Sequence, residues 1–168
     1  MSEKVTNVVV AGLGGQGVLT ASDIISRAAF NAGYDVKKSE VHGMSQRGGS
    51  VASDIRFGPR VLSPMVPDNQ ADYLVVMTAD EVETNRRVLR PGGVLITPDD
   101  VPEGLEVNPR SMNVILSAVL STTLNIDEKH WIEAIKASLK PALHEANVAT
   151  FVAVRKAGTD AEPKSEGE

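Results

Sequence analysis

The chain has 168 residues, 42% hydrophobic and 23% charged, with 14 Gly, 9 Pro and no Cys, which fits one compact domain and is short for two. The lack of Cys excludes a disulfide, a thiolate zinc site, a nucleophilic Cys and a cysteine-ligated iron–sulfur cluster within this chain. No run reaches the roughly 18 apolar residues of a membrane helix, and although a net charge of −5 sets an expectation against nucleic acid, −3 of it falls in residues 158–168, so the overall charge decides nothing about partners.

Met1-Ser2-Glu3-Lys4 runs straight into an apolar strand, without the charged start and long apolar middle of a signal peptide, which sets a cytoplasmic expectation. Residues 5–11 (VTNVVVA) read as a buried strand ending at the glycine cluster Gly12-Leu13-Gly14-Gly15-Gln16-Gly17. Residues 18–32 carry Leu19, Ile24, Ala28 and Phe30 at helical spacing, and Gly33 stands where a helix ends. Residues 35–41 form a second strand, followed by a polar, glycine-rich segment, 42–50. Residues 51–57 alternate strictly, and Gly58-Pro59 turns the chain into a short Val61-Leu62 segment, an antiparallel hairpin.

Residues 72–78 (DYLVVMT) are another buried strand and 80–89 a helix, which Pro91-Gly92-Gly93 breaks before a strand at 94–97. A loop with Pro98, Pro102 and Pro109 follows, with room for a short strand at 105–107. Two helices come next. Residues 111–124 place Met112, Ile115, Leu116, Val119 and Leu120 on one face, and residues 127–139, capped by Asp127, carry the stripe Trp131, Ile132, Ile135 and Leu139. Trp131 belongs to the core on that register. Pro141 opens a last helix to about Ala157. Residues 158–168 (GTDAEPKSEGE) hold four acids and one base, −3 of the net −5, and read as a disordered acidic tail behind a single domain over 1–157. The alternation of strand and helix specifies an α/β fold: a three-layer, Rossmann-like domain with a mostly parallel sheet and one antiparallel hairpin.

Gly12-x-Gly14-x-x-Gly17, after a strand and before a helix, has the spacing of a dinucleotide fingerprint, whose glycines clear Cβ atoms from the path of a phosphate. Glu40, near the end of the second strand, stands about where an NAD site places its ribose-binding acid. The same glycines equally serve close packing of strand on helix. No Lys-Ser or Lys-Thr closes the motif, so it is not a P-loop. The second segment, Glu40-Val41-His42-Gly43-Met44-Ser45-Gln46-Arg47-Gly48-Gly49-Ser50, is unusual after a second strand. Arg47 could hold a phosphate or carboxylate with two parallel hydrogen bonds, and His42 could donate or titrate near neutrality. Alternatively, Arg47 neutralises a neighbouring acid and His42 caps a turn.

GLGGQG after a strand, with EVHGMSQRGGSV some two dozen residues later, resembles the gamma subunit or gamma domain of the 2-oxoacid:ferredoxin oxidoreductases, most of all its indolepyruvate-type small subunits (the beta subunit of that enzyme). There the second motif reads His-Gly-Met-x-Gln-Arg-Gly-Gly, here His42 to Gly49. Ser63-Pro64, Ala71-Asp72, the LRPGG of Leu89 to Gly93, Asn113, Asn147 and Phe151 extend the likeness over roughly residues 5–155. Family members have a longer stretch between the strand at 94–97 and the helix of Asn113, and this chain lacks the surface it would build.

The resemblance implies coenzyme A-dependent oxidative decarboxylation of a 2-oxoacid, such as pyruvate or indolepyruvate, with electrons passing to ferredoxin. That chemistry needs thiamine diphosphate and iron–sulfur clusters. This chain has neither Cys nor a Gly-Asp-Gly thiamine-binding start, so the resemblance makes it a non-redox subunit, inactive alone. A larger partner would hold the thiamine diphosphate and the clusters and hand electrons to ferredoxin. No catalytic residue and no metal ligand is expected here. His42, Ser45, Gln46, Arg47, Gly48 and Gly49 would border a shared substrate and coenzyme A site. Gly12, Gly14, Gly15, Gln16 and Gly17 would form a phosphate loop or an interface. Two rivals stand beside this reading: a stand-alone NAD-dependent oxidoreductase using Gly12–Gly17 and Glu40, and a purely structural assembly subunit.

Overall fold

The structure is a computed structural model that describes residues 4–42 and 48–160. Five strands form one sheet in the order β2-β3-β1-β4-β5. They are β1 (Thr6–Leu13), β2 (Asp35–His42), β3 (Ser50–Gly58), β4 (Ala71–Val76) and β5 (Leu89–Ile96). β1 pairs in parallel with β4 and β4 with β5, while β3 runs antiparallel to both β1 and β2. Only β3 is reversed, but it lies between β2 and β1, so two of the four ladders are parallel and two antiparallel, and the sheet is mixed where a mostly parallel one was expected. The antiparallel partner differs from expectation. Val61 and Leu62 are not a strand, and the hairpin is β2 with β3, joined through the polar segment. β2 offers eight residues in register with β3, from Asp35 opposite Gly58 to His42 opposite Val51. The two residues after the Gly58-Pro59 turn have no comparable ladder to form.

Alternation along β1 sorts its side chains between two cores. Val8 and Val10 join Ile55, Phe57, Val75 and Ile96 against the long helices. Those are α1 (Val18–Asn31), α3 (Met112–Ser121), α4 (Glu128–Ser138) and α5 (His144–Asp160). α1 presents Ala21, Ile24, Ile25, Ala28 and Ala29, all without exposure, the three-and-four spacing of a helical stripe. Phe30, expected in that stripe, is 70% exposed; it follows Ala28 by two residues, more than half a turn off the buried face. Inside this core Ser22 and Ser53 exchange a hydrogen bond of 2.5 Å, which joins α1 to β3 without leaving a bare hydroxyl. Trp131 is fully buried and stacks on Phe151 with ring centroids 5.7 Å apart, as its register requires.

The opposite face is thin. Val9, Ala11, Leu74 and Val76 pack there with Val66 and, at the margin, Val82 and Val88. The helix expected over 80–89 resolves into 3-10 turns around a four-residue helix, α2 (Val82–Asn85). β5 begins at Leu89, earlier than expected: Leu89 pairs with Ala71 and Val94 with Tyr73, so Arg90–Gly93 bulge out of the ladder instead of ending it. The segment 105–107 is not a strand, and Asp127 precedes α4 without a side-chain cap. α5 runs to Asp160, so Gly158, Thr159 and Asp160 of the expected tail are helical; residues 161–168 lie outside the described residues. No helix among the described residues is long and apolar enough to cross a membrane.

Candidate functional site

The site forms where β1 hands over to α1. Gln16 N–H donates to the Leu13 carbonyl at 3.1 Å, closing a tight turn over Leu13–Gln16. Gly15 stands at its third position with φ 90°, as a type II turn requires. Gln16 returns a second bond, its Oε1 accepting from Leu13 N–H at 2.7 Å. Gly17 then starts α1 from the left-handed region, φ 79° and ψ 25°. Glycine is needed here for space as well as conformation. A Cβ on Gly12 would lie 2.9 Å from Gln16 Oε1 and from Val18 Cγ2, and one on Gly17 only 2.6 Å from Asn113 Nδ2. A Cβ on Gly15 would meet nothing within 4 Å. The fingerprint thus divides: Gly12 and Gly17 serve close packing, and Gly15 serves an open turn.

The second polar segment reaches the first at its far end. Gly14 N–H donates to the Gly49 carbonyl at 2.9 Å, continuing the β1–β3 ladder, in which Leu13 pairs with Ser50 and Gly12 with Val51. His42 ends β2 opposite Val51. Gly48 and Gly49 therefore stand beside the glycine turn. Gly43, Met44, Ser45, Gln46 and Arg47 lie outside the described residues. Glu40 does not join the site as an NAD acid would. It sits on the edge strand, opposite Ser53 of β3. The interposed β3 puts its strand two ladder spacings, roughly 10 Å, from β1, whereas a dinucleotide fold has those strands adjacent.

Two clefts flank the turn. One, of about 410 Å³, lies on the β3 side and is walled mainly by Leu13, Val18, Leu19, Thr20 and Val51 with the turn glycines. The other, of about 400 Å³, lies towards the start of α3 and is walled by Gln16, Met77, Arg110, Met112 and Asn113, with Pro109 and the turn. Met77, Arg110 and Met112 were invisible as site residues, since nothing local marks a residue that reaches the site from the end of β4 or the start of α3. Asn113 had one signal, its place in the family likeness, and the structure explains it: its amide packs on the Cα of Gly17. Among the described residues, no group of three or more His, Cys, Asp or Glu could hold a metal ion.

A family model described as pyruvate ferredoxin/flavodoxin oxidoreductase matches residues 7–109. Indolepyruvate oxidoreductase subunit IorB of Thermococcus kodakarensis is 44% identical over 111 residues, which cover 61% of this chain and 54% of that protein. The Archaeoglobus fulgidus subunit of the same name is 43% identical over 90 residues, 54% of this chain and 44% of that protein. The chain spans about half the length of these curated relatives. The keto/oxoacid ferredoxin oxidoreductase gamma subunit of Geobacter sulfurreducens shares the fold, with TM-score 0.75 at 19% identity over 93% of this chain and 99% of that one. So does the 2-oxoglutarate:ferredoxin oxidoreductase of Magnetococcus marinus, solved with 2-oxoglutarate, coenzyme A and succinyl-CoA bound. Its TM-score is 0.72 at 21% identity, over 96% of this chain and 33% of that one. The family match takes in the glycine turn, the second segment and β1 to β5, and the fold match takes in the helices beyond them. The chain belongs to the pyruvate ferredoxin/flavodoxin oxidoreductase family.

Proposed function

We propose that the chain is the non-redox, gamma-type subunit of an oxidoreductase that decarboxylates a 2-oxoacid of the indolepyruvate or arylpyruvate kind. The acyl group passes to coenzyme A and the electrons pass to ferredoxin. The observation that carries this reading is the junction of the two motifs, where Gly14 N–H meets the Gly49 carbonyl, in a chain 44% identical to an indolepyruvate oxidoreductase subunit. The residues present do not fit thiamine diphosphate or a cluster: the sequence has no Cys and no Gly-Asp-Gly. Both groups are therefore assigned to a larger partner, and no chemical step is routed through this chain. Its part is to shape the entrance used by the 2-oxoacid and coenzyme A, with His42, Ser45, Gln46, Arg47, Gly48 and Gly49 along it.

Affinity purification of the native chain tests the assembly. A large subunit carrying thiamine diphosphate and iron–sulfur clusters is expected to come with it, and turnover by the chain alone would defeat the reading. Arg47→Ala tests the entrance. Loss of one charge-assisted contact, about 1.5–3 kcal/mol, is expected to raise the KM for coenzyme A about tenfold or more while the complex still assembles. Unchanged assembly together with unchanged coenzyme A dependence would remove Arg47 from this role. The packing at Gly12 and Gly17 favours one second reading, a subunit that serves assembly alone. It predicts no difference in coenzyme A binding between the partner with this chain and the partner without it.

A further inference from the structure

The long helices cover one face of the sheet, and over β2 and β3 the other face carries only a strap of chain, residues 59–70. Side chains of the sheet tie the strap down. Asp35 Oδ2 accepts from Val61 N–H at 2.7 Å, Arg56 Nη1 donates to the Ser63 carbonyl at 2.8 Å, and Asp54 Oδ2 accepts from Val66 N–H at 2.8 Å. Val61 and Val66 are buried, whereas Leu62 and Met65 stand out, 80% and 60% exposed. Pro59, Pro64 and Pro67 each fix a φ angle, so the strap is shaped before anything meets it. The Ser63-Pro64 pair of the family likeness lies between the two exposed side chains. On β2, Lys37, Ser39 and Val41 pair with Arg56, Asp54 and Ala52 and share their face, so they flank the strap, and Val41 is exposed. Three of the six large apolar side chains exposed among the described residues thus share one patch. Phe30 on α1, Val94 on β5 and Leu143 before α5 stand singly, as is ordinary for a folded domain.

We infer that Leu62, Met65 and Val41 dock the larger subunit of the complex, on a surface of that subunit with an apolar centre and an acidic rim. The choice of that subunit rests on the proposed function; the chemistry of the surface rests on the patch. Lys37 and Arg60 are exposed beside the strap, and neither has a hydrogen-bond or ion-pair partner among the described residues. The neighbouring acids are already engaged: Asp35 and Asp54 with the strap amides, and Asp68 with Arg87 at 3.6 Å. The unpaired charge around the patch is therefore positive, although the chain as a whole carries −5. A second copy related by a two-fold would set these cations against the same cations, which disfavours self-association. An acid-rimmed, different chain meets no such repulsion. Leu62 and Met65 are held by a strap that is already ordered, so docking costs little backbone entropy. Three side chains fall short of the roughly 800 Å² per partner of a standard interface, so the patch is the apolar centre of a wider contact.

The test compares the tagged full chain with its variants in the native cells, followed by affinity measurement against the purified larger subunit, identified by its thiamine diphosphate and iron. Leu62→Ser and Met65→Ser together are expected to weaken binding about tenfold or more. Lys37→Glu with Arg60→Glu is expected to weaken it at low salt and to remove most of its salt dependence. Phe30→Ser, at an equally exposed apolar position on α1, is expected to bind as wild type does. All these side chains are exposed, so urea midpoints within error of wild type confirm that each variant is folded. Wild-type affinity in the Leu62→Ser, Met65→Ser double variant, or an equal loss in Phe30→Ser, would overturn the inference. So would a homodimer of the wild-type chain in gel filtration that the double variant splits, since the patch would then belong to a second copy. Recovery of no such subunit by the wild-type chain would defeat the proposed function itself, and with it the choice of occupant.

Discussion

Gly17→Ala is expected to lower stability by about 3 kcal/mol, a fall in Tm of about 6–12 °C for a chain of this size. Two costs add. A side chain in the left-handed region costs about 1–2 kcal/mol, and φ here is 79°. The new Cβ would also stand 2.6 Å from Nδ2, 3.0 Å from Cγ and 3.2 Å from Cβ of Asn113. Because the whole side chain is in the way and not just its tip, Asn113 must swing off the turn and its bond from Val114 N–H must break. Gly15→Ala is the control. It has φ 90° but open space around the new Cβ, so it bears only the backbone cost, about 1 kcal/mol once the stiffer unfolded chain is counted. Urea unfolding of both variants at constant m separates the two terms. Equal losses would mean that the contact with Asn113 contributes nothing.

The pair also shows which parts of the site could be read from the chain. The spacing of Gly12, Gly14 and Gly17 between a β-branched run and a helical stripe is local, so strand, turn and helix were legible together. What each glycine is for was not, because the atoms that crowd Gly17 come from Asn113, on α3, far along the chain. Strand order was hidden for the same reason. Residues 51–57 announced a strand by strict alternation, but a period of two does not say which neighbour it will pair with, and a nearby turn suggested the wrong one. Once β3 lies between β2 and β1, Glu40 leaves the vicinity of the glycine turn, and an NAD site that spacing alone permitted loses its acid. The short α2 was overestimated because Val82, Val88 and Leu89 suit a helix and equally suit a turn followed by the first residue of β5. Packing on the thin face of the sheet settled the matter, and that is a tertiary effect.

The opposite end of the sheet supports the second large effect. Asp72, at the start of β4, is 8% exposed at its side chain and is the hub of a polar network. It accepts from Asn7 N–H at 2.8 Å, from Arg90 Nε at 2.8 Å and from Lys4 Nζ at 3.2 Å. Asn7 extends the network, its Oδ1 accepting from Arg56 Nε and its Nδ2 donating to the Gln70 carbonyl. Burial works against the charge on Asp72, but the Asn7 amide, Arg90 and Lys4 outweigh it and hold its carboxyl below the usual range. Asp72→Asn is expected to cost about 2–3 kcal/mol, since it leaves donors facing donors at a buried position. The dependence on pH follows from the direction of the shift. A carboxyl lowered by folding contributes its full stability above its unfolded value, about 3.9, and loses it as pH falls through the lower folded value. The gap between wild type and Asp72→Asn is therefore expected to be widest near neutrality and to close in acid below about pH 4. Asp54 acts in the other sense. Its carboxyl is raised, by burial first and against the bond it accepts from Val66 N–H, so its contribution is present below the unfolded value and is lost as pH rises through the raised folded one. Asp54 titrates in both proteins, so the difference between them isolates Asp72. The network lies at the N-terminal end of β1 and β4, away from the glycine turn. Asp72→Asn should accordingly lower the urea midpoint and leave the Gly15→Ala and Gly17→Ala losses unchanged, as for distant independent sites. A gap that stays constant from neutrality into acid would show that the charge on Asp72 is not what stabilises this end of the sheet.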